Sequence, residues 1–257
     1  MVTVNISETA SISSSVVFGP NCEVITIGHA CQVRANTYID VRELTIGDYV
    51  TINPGSTLHG ETVSIGHNCW VGQYSILDGH GGLLSLGNNV GVGAHSQLWS
   101  HMKFGDVLEG CRWNEMSRLV VEDDVWFVGH CLVTPIIARK RSMLMLGGLI
   151  TQDMEENQVY AGSPAKNMTH VFGEQFSARS TAEKWKEFER LLREYQALGN
   201  AIDSFRIGTR ESVTSPKDNF TYFDVVSRTY APTYSDEETA FMRYLLYDKA
   251  KFTPVTT

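Results

Sequence analysis

The sequence predicts a mainly β protein, in which a parallel β-helix of triangular coils is followed by a C-terminal α+β extension. Two observations predict the β-helix: aliphatic residues recur every six positions over roughly the first 170 residues, and Gly often follows them directly. A third observation predicts the extension. After Lys166 the six-residue period ends, and two segments with helical capping signals follow.

The six-residue repeat is visible as successive triplets of apolar residues. A period of six fits neither an α-helix nor a flat strand, but it fits a coil of three short strands with one inward side chain each. Neighbouring coils then hydrogen-bond at a spacing of about 4.8 Å. An antiparallel β-sandwich would instead need regular hairpin signals and period-two alternation. The triplets are Ile27, Val33, Ile39; Ile46, Ile52, Leu58; Ile65, Val71, Leu77; Leu86, Val92, Leu98; and Val121, Phe127, Val133.

Glycine directly follows the first residue of several triplets, at Gly28, Gly47, Gly66 and Gly87. A corner between two strands requires unusual backbone angles and no Cβ, and Gly meets both requirements. We therefore expect these glycines to lie at one corner of the coils.

The repeat is interrupted once, between Leu98 and Val121. A step of this length means that one corner expels a loop, at about residues 99–120. Long loops on a compact solenoid usually carry function. The loop contains His101, Trp113, Asn114 and Glu115.

Composition excludes several classes of function. The formal net charge of −8 and the pI near 5.5 disfavour nucleic acid and anionic membranes as partners. The basic run Arg139–Lys140–Arg141 is too short for a nucleic-acid groove. The N-terminus has no signal-peptide pattern, and no stretch of 18 apolar residues occurs, so we expect a cytoplasmic protein.

The cysteines favour reduced thiols. There are five, an odd number, and no two form a Cys-x-x-Cys pair. This pattern argues against a disulfide framework and against a zinc knuckle.

Three segments carry a family resemblance: VEDDVWFVG from Val121, ITQDM from Ile150, and VYAGSPAK from Val159. They resemble the V-W-I-G, V-T-K-D-I and A-G-N-P-A-K elements of hexapeptide-repeat acyltransferases, a family that includes maltose and xenobiotic O-acetyltransferases. The resemblance extends from about residue 24 to 168, and its most specific element is A-G-x-P-A-K.

The resemblance implies an architecture and an activity. The fold is a left-handed parallel β-helix over residues 1–170, with the extension over residues 171–257. The activity is O- or N-acyl transfer from acetyl-CoA to a sugar, nucleotide sugar or similar small acceptor. Family members place their sites between neighbouring subunits, so a homotrimer is expected.

The resemblance also implies a catalytic base, because the family carries an essential His at the root of the expelled loop. His101, three residues after Leu98, matches that position. A histidine suits proton transfer near neutral pH, and acyl transfer needs no metal. His80 is the alternative base, because Leu77 is expected to lie under Leu98 and His80 therefore one coil beneath His101. His101 as a merely exposed loop residue is the remaining possibility.

Further acceptor-site residues are expected around this base. Asp78 can orient the base or bind an acceptor hydroxyl, or it can satisfy backbone N–H groups at a corner. Asn114 and Glu115 are candidate acceptor contacts because they share the loop.

For CoA, the resemblance points to small residues and backbone of the late coils. Trp126 is either part of that site or a cap on an external face. Two departures from the family pattern concern the cofactor: Gln152 replaces the Lys of V-T-K-D, and Met143 to Met145 replace an orderly repeat, so an irregular coil is expected between Arg139 and Leu146. The candidate cofactor residues are Trp126, Gly129, Gly147, Thr151, Ala161, Gly162 and Lys166.

The extension contains two predicted helices and a strand. Capping boxes at Ser180–Glu183 and Ser235–Glu238 begin the helices, and Gly199 follows the first one. Residues 220–230 are expected to form a strand. The aromatic residues of the helices are interpreted as packing surface. A lid over the acceptor and an oligomer contact are the two roles considered for the extension.

Two other functions compete. A γ-type carbonic anhydrase has the same fold and binds zinc through histidines in an I-G-H-x-x-x-x-H pattern. Here the residue five positions after His67 is Gly72, and the one five after His29 is Arg34, so that pattern is broken. A non-catalytic scaffold is the second alternative.

Overall fold

The computed structural model describes residues 3–113, 117–216 and 218–255. The chain divides into two compact units, Met1–Phe176 and Ser177–Thr257. The first is a left-handed parallel β-helix and the second an α+β unit, so the predicted fold class is confirmed.

Within residues 3–113 and 117–176, the first unit contains twenty-one strands, most of them short. All are parallel to their neighbours except the last two, which pair antiparallel. The strands are β1 (Thr3–Ile6), β2 (Ser11–Ile12), β3 (Val17–Phe18), β4 (Val24–Ile27), β5 (Gln32–Val33), β6 (Tyr38–Ile46), β7 (Thr51–Ile52), β8 (Thr57–Ile65), β9 (Trp70–Val71), β10 (Ile76–Gly79), β11 (Leu83–Leu86), β12 (Gly91–Val92), β13 (Gln97–Trp99), β14 (Arg118–Val121), β15 (Trp126–Phe127), β16 (Leu132–Val133), β17 (Ile137–Ala138), β18 (Met143–Leu144), β19 (Leu149–Ile150), β20 (Val159–Gly162) and β21 (Ala165–Asn167).

The inward residues of the repeat form the core. Every member of the predicted triplets is buried, and the strand registers stack each one on its equivalent in the next coil. The register also places a coil before the first triplet, in which Ile6 pairs with Ile27, Ile12 with Val33, and Phe18 with Ile39.

The coil expected to be irregular is regular. Ala138, Leu144 and Ile150 are fully buried at six-residue spacing, and Leu144 lies in register between Phe127 and Tyr160. The expectation for residues 139–146 was wrong because Ala138 is a small inward residue, which an aliphatic pattern does not reveal.

Of the two properties expected of the corner glycines, the structure confirms the need for no Cβ but not the unusual backbone angles. The positive φ angle falls two residues later, on residues such as Ala30, Asn68 and Asn89. Gly28 is needed for close approach, since a Cβ there would lie 2.5 Å from Asp48 Oδ1. Neighbouring coils therefore pack against the bare backbone at this corner.

The expelled loop is present between β13 and β14. The strands extend into the predicted range, so residues 100–117 connect them, and of these 100–113 and 117 are described. The tip of the described part is fully exposed at Phe104 and Leu108. The loop leaves the prism at the corner where His101 lies.

The second unit contains a four-stranded sheet in the order β22-β23-β24-β25 and two longer helices. Ser180 begins α2 with a complete capping box to Glu183, as predicted, and Ser235 caps α4 by accepting from the Glu238 N–H. The elements from residue 169 onward are α1 (Thr169–Phe172, in the first unit), α2 (Thr181–Ala197), β22 (Phe205–Ile207), α3 (Arg210–Thr214), β23 (Thr221–Asp224), β24 (Thr229–Tyr230), α4 (Asp236–Leu245) and β25 (Thr253–Pro254).

The single strand predicted over residues 220–230 is instead a hairpin of β23 and β24, which pair antiparallel. A turn at residues 225–228 interrupts the alternation. The aromatic residues of this unit pack on one another around Phe223 and Phe241, whose ring centroids are 5.7 Å apart. The aromatic stripe is therefore packing surface, as interpreted.

All five cysteines are free: four are buried, and Cys111 is partly exposed. Among the described residues, no helix combines the length and the apolar character needed to cross a membrane.

Replacing Ile52 by Asp should unfold the β-helix. Ile52 is fully buried between Val33 and Val71, and an unpaired carboxylate there costs at least several kcal/mol, about the whole stability of a domain. Circular dichroism and urea titration measure this loss. Thr51→Asp, on the outward side of the same strand, is the control; a folded Ile52→Asp protein would show that the inward register is wrong.

Candidate active site

One corner of the β-helix carries a ladder of polar and aromatic side chains. In three successive coils the residue after the inward Leu lies at equivalent positions, because β8, β10 and β13 pair in register. His59 pairs with Asp78, and Asp78 pairs with Trp99. Leu77 likewise pairs with Leu98, as expected. Residues far apart in sequence therefore meet at this corner.

His80 and His101 join this ladder from the chain that leaves the strands. Their ring centroids are 5.9 Å apart. The two chain segments that carry these histidines approach closely at Gly81. A Cβ there would lie 1.9 Å from the Ser100 carbonyl oxygen, so only Gly fits. Gly81 N–H also donates to Ser100 Oγ at 2.8 Å, which fixes the root of the expelled loop.

Asp78 is the centre of the cluster and is fully buried. Its Oδ1 accepts from His101 Nδ1 at 2.8 Å and from Ser100 Oγ at 3.2 Å. Its Oδ2 lies 2.8 Å from His80 Nδ1 and 3.3 Å from His59 Nδ1. The His80 backbone N–H donates to Oδ1 at 3.2 Å. Both carboxylate oxygens are thus occupied by protein groups.

The electrostatics keep Asp78 ionised. Burial raises the pKa of its carboxyl group, but hydrogen bonds from His80 and His101 and the charges of the histidines outweigh it, so the pKa lies below its usual value. An ionised carboxylate has no proton to donate. The proton in the His101–Asp78 contact therefore belongs to His101 Nδ1, and when the ring is neutral its lone pair is on Nε2.

His59 was missed at the sequence level. Its Nδ1 lies 2.9 Å from His80 Nδ1, and its side chain is 23% exposed. Burial lowers its pKa, against the opposing charge of Asp78. The signal was available, since the stacking that puts Leu77 under Leu98 also puts Leu58 under Leu77 and hence His59 beside Asp78.

The cluster lines a cavity of about 590 Å³ at the loop root. The loop forms one wall of this cavity through the side chains of Lys103 and Phe104. The cavity is large enough for a sugar-sized ligand. Its lining residues are His59, Asp78, His80, Trp99, His101, Lys103, Phe104 and Gly105.

Of the predicted site residues, His101, His80 and Asp78 come together in this cavity. Asn114 and Glu115 lie outside the described residues. Thr151 follows Ile150, which pairs with Val133 and through it with Leu98. Thr151 is therefore on the corner that carries Trp99, two coils further along.

The other cofactor candidates lie on the late coils. Gly147 N–H donates to the Gly129 carbonyl at 2.9 Å, so these two glycines stack. A Cβ on Gly147 would meet nothing within 4 Å. The indole of Trp126 is 45% exposed, and a Cβ on Gly91 would lie 3.0 Å from it, so it packs over that glycine.

The A-G-x-P-A-K element forms the last turn. Ala161 pairs with Lys166 and Gly162 with Ala165 across an antiparallel hairpin. Lys166 is exposed. Among the candidate cofactor residues, Lys166 is the one with a positive charge, and it follows Ala161 and Gly162 closely in sequence.

Asp78→Asn should destabilise the protein. An amide carries no charge and accepts through only one atom, so the charge-assisted hydrogen bonds of Asp78 are weakened or lost, at a cost of about 1–3 kcal/mol. Urea denaturation at neutral pH measures the change. Asp153, an exposed carboxylate that accepts one backbone N–H from Ile137 at 2.8 Å, provides the control Asp153→Asn. Equal losses for both variants would contradict a special role for Asp78.

Comparison with known proteins supports the fold. No protein-family model matches the chain, and no curated protein matches its sequence. The solved structure of the polysialic acid O-acetyltransferase OatWY is similar, with a TM-score of 0.57 and 20% identity over 69% of this chain and 88% of that one.

Two further solved structures match with lower TM-scores. The N-acyltransferase AntD from Bacillus cereus has a TM-score of 0.39 and 15% identity, over 77% of this chain and 89% of its own. The polysialic-acid-specific acetyltransferase NeuO has a TM-score of 0.39 and 16% identity, over 76% and 91%. The similarity to the OatWY structure agrees with the left-handed β-helix fold that the resemblance to hexapeptide-repeat acyltransferases implied.

Proposed function

We propose that the protein is an acyl-CoA-dependent O- or N-acyltransferase in which His101 is the general base. The observation that carries this proposal is the contact of 2.8 Å between His101 Nδ1 and the buried Asp78, at the root of the loop and inside an open cavity. A histidine held by a carboxylate on one nitrogen, with the other nitrogen free, is the arrangement that base catalysis requires.

In the proposed reaction, His101 Nε2 takes the proton of the acceptor hydroxyl or amine. The acceptor oxygen or nitrogen then bonds to the thioester carbonyl carbon, and the carbonyl electrons move onto its oxygen. When the tetrahedral intermediate collapses, the carbon–sulfur bond breaks and the proton on His101 passes to the leaving thiolate. Asp78 holds the ring and stabilises the imidazolium, which we propose as its role in place of acceptor binding.

We propose a sugar or nucleotide sugar as the acceptor. Trp99 and Phe104 give the cavity apolar ring surfaces beside polar groups, a combination that suits the alternating apolar and hydroxylated faces of a sugar. OatWY is a polysialic acid O-acetyltransferase, and a sugar hydroxyl is the acceptor class that this similarity suggests.

We propose acetyl-CoA as the acyl donor, bound along the late coils. Exposed small residues at Gly147 and Gly162 leave space for a pantetheine arm, and Lys166 is available to a phosphate. Gln152 removes one cation that the family pattern supplies nearby. When bound, acetyl-CoA supplies the activated acyl group, and the chain supplies the base. We further propose a homotrimer, in which a neighbouring subunit borders the groove.

His101→Ala should reduce kcat by at least two decades, because a positioned general base contributes about 10²- to 10⁴-fold. The affinity for acetyl-CoA should change only a few-fold, since the ring contacts the acceptor side of the reaction. The assay follows thiol release from acetyl-CoA with a panel of glycosides and nucleotide sugars.

His80→Ala is the comparison variant, and His170→Ala, an exposed histidine outside the cavity, controls for the loss of a histidine as such. If His80→Ala abolishes turnover and His101→Ala does not, the base lies one coil lower. If neither variant loses activity on a confirmed acceptor, histidine base catalysis is wrong for this protein.

Lys166→Ala should raise the KM for acetyl-CoA several-fold and leave kcat nearly unchanged, because a phosphate contact acts equally in the ground state and the transition state. Lys186→Ala, on the exposed surface of α2 in the second unit, is the matched control. An unchanged KM would remove Lys166 from the cofactor site.

Light scattering of the same preparation tests the proposed homotrimer. An active monomer would contradict it.

A further inference from the structure

Three potential ligand atoms at the corner converge on one point: His59 Nδ1, His80 Nδ1 and Asp78 Oδ2. The His59–His80 separation is 2.9 Å, the His80–Asp78 separation 2.8 Å and the His59–Asp78 separation 3.3 Å. All three atoms lie within 4.8 Å of one another. The carboxylate is fully buried, whereas His80 is 52% exposed to the cavity.

Hydrogen bonds cannot join all three pairs of atoms in this triangle at once. A neutral imidazole carries one proton, and the ionised Asp78 carries none. If only His80 Nδ1 is protonated, two lone pairs face each other between His59 and Asp78. If only His59 Nδ1 is protonated, the same happens between His80 and Asp78, and if both are protonated, two N–H groups collide. Every arrangement therefore leaves one pair of atoms in the triangle without a hydrogen bond between them.

A cation at the centre would bind all three atoms at once, because all three lone pairs then point at positive charge. We infer that His59, His80 and Asp78 form a binding site for a divalent transition metal ion of the zinc class, in the cavity beside His101. Two imidazoles and one carboxylate favour such an ion over Mg²⁺ or Ca²⁺, which prefer oxygen ligands. This inference does not depend on the proposed acyl transfer.

The distances fit a site that closes onto the ion with small movements. Zinc binds nitrogen and oxygen at about 2.0–2.2 Å, which separates tetrahedral ligands by about 3.3–3.5 Å. The His59–Asp78 separation of 3.3 Å already has this value. The other two would widen by about half an ångström, and the His80 proton would move from Nδ1 to Nε2, so the ring stays neutral.

The surroundings support the site in two ways. The other oxygen of Asp78 is held by His101 Nδ1 and Ser100 Oγ, which is the outer hydrogen bonding that orients a ligating carboxylate. Three protein ligands also leave a coordination position for water or a cavity ligand, as in open metal sites. The metal and the proposed base would thus share one carboxylate.

The test measures zinc binding by calorimetry on tag-free, full-length protein after dialysis against a chelator. One zinc ion per chain is expected, and His59→Ala and His80→Ala should each weaken binding at least about tenfold. His170→Ala is the matched control and should bind like the wild type. Circular dichroism verifies folding, and His59→Gln repeats the test with a side chain of similar size if the Ala variant is unstable.

Two results would overturn the inference: no zinc binding by the folded wild-type protein up to millimolar metal, or equal affinity of the wild type and both folded ligand variants. The outcome is separable from that of the proposed function. Zinc binding without thiol release on any acceptor would leave the metal site standing, and His101-dependent acyl transfer by a protein that binds no zinc would leave only the proposed function.

Discussion

The stacking of one coil on the next is the constraint on which the rest of this structure depends. Most strands of the β-helix are only two to four residues long, far too short to be stable alone. Each is held by hydrogen bonds to the coils on either side and by one inward side chain that packs on its equivalents. Because the inward side chains must stay aligned, the register is fixed, and a residue at a corner meets the same corner residue of its neighbours.

The polar cluster is a direct consequence of that alignment. His59, Asp78 and Trp99 each follow an inward Leu, so fixing the Leu residues fixes the ladder. A fully buried carboxylate is costly unless it is hydrogen-bonded, and the donors on Asp78 offset that cost. The cluster therefore lies at a corner, where imidazole rings can reach both the buried carboxylate and the cavity.

The expelled loop adds the element that the coils cannot provide. Regular coils present flat faces and narrow corners, which make poor binding sites. By leaving the prism after Trp99, the chain turns His101 back onto Asp78 and raises a wall with Lys103 and Phe104. The coils hold the Asp78 carboxylate in place, and the loop forms the open side of the cavity. The position of the carboxylate and the entry of a ligand therefore depend on different parts of the chain.

The sequence by itself determined the β-helix, its register, the place of the loop and the capped helices of the second unit, because each depends on local spacing that repeats or on capping residues. It also singled out His101, His80 and Asp78, whose side chains the structure brings together. It did not predict the regular coil that begins at Ala138, because a small inward residue does not stand out in an aliphatic pattern. It also did not predict the hairpin of β23 and β24, where a turn interrupts the alternation.

Only the tertiary structure decided how the site residues meet. The contact of His59 with His80 joins residues 21 positions apart, and that of His101 with Asp78 joins residues 23 apart. Spacing predicts that such residues lie on adjacent coils. Which ring nitrogen faces which carboxylate oxygen depends on the close backbone approach at Gly81 and on the path of the loop root, and neither is encoded in a periodic pattern.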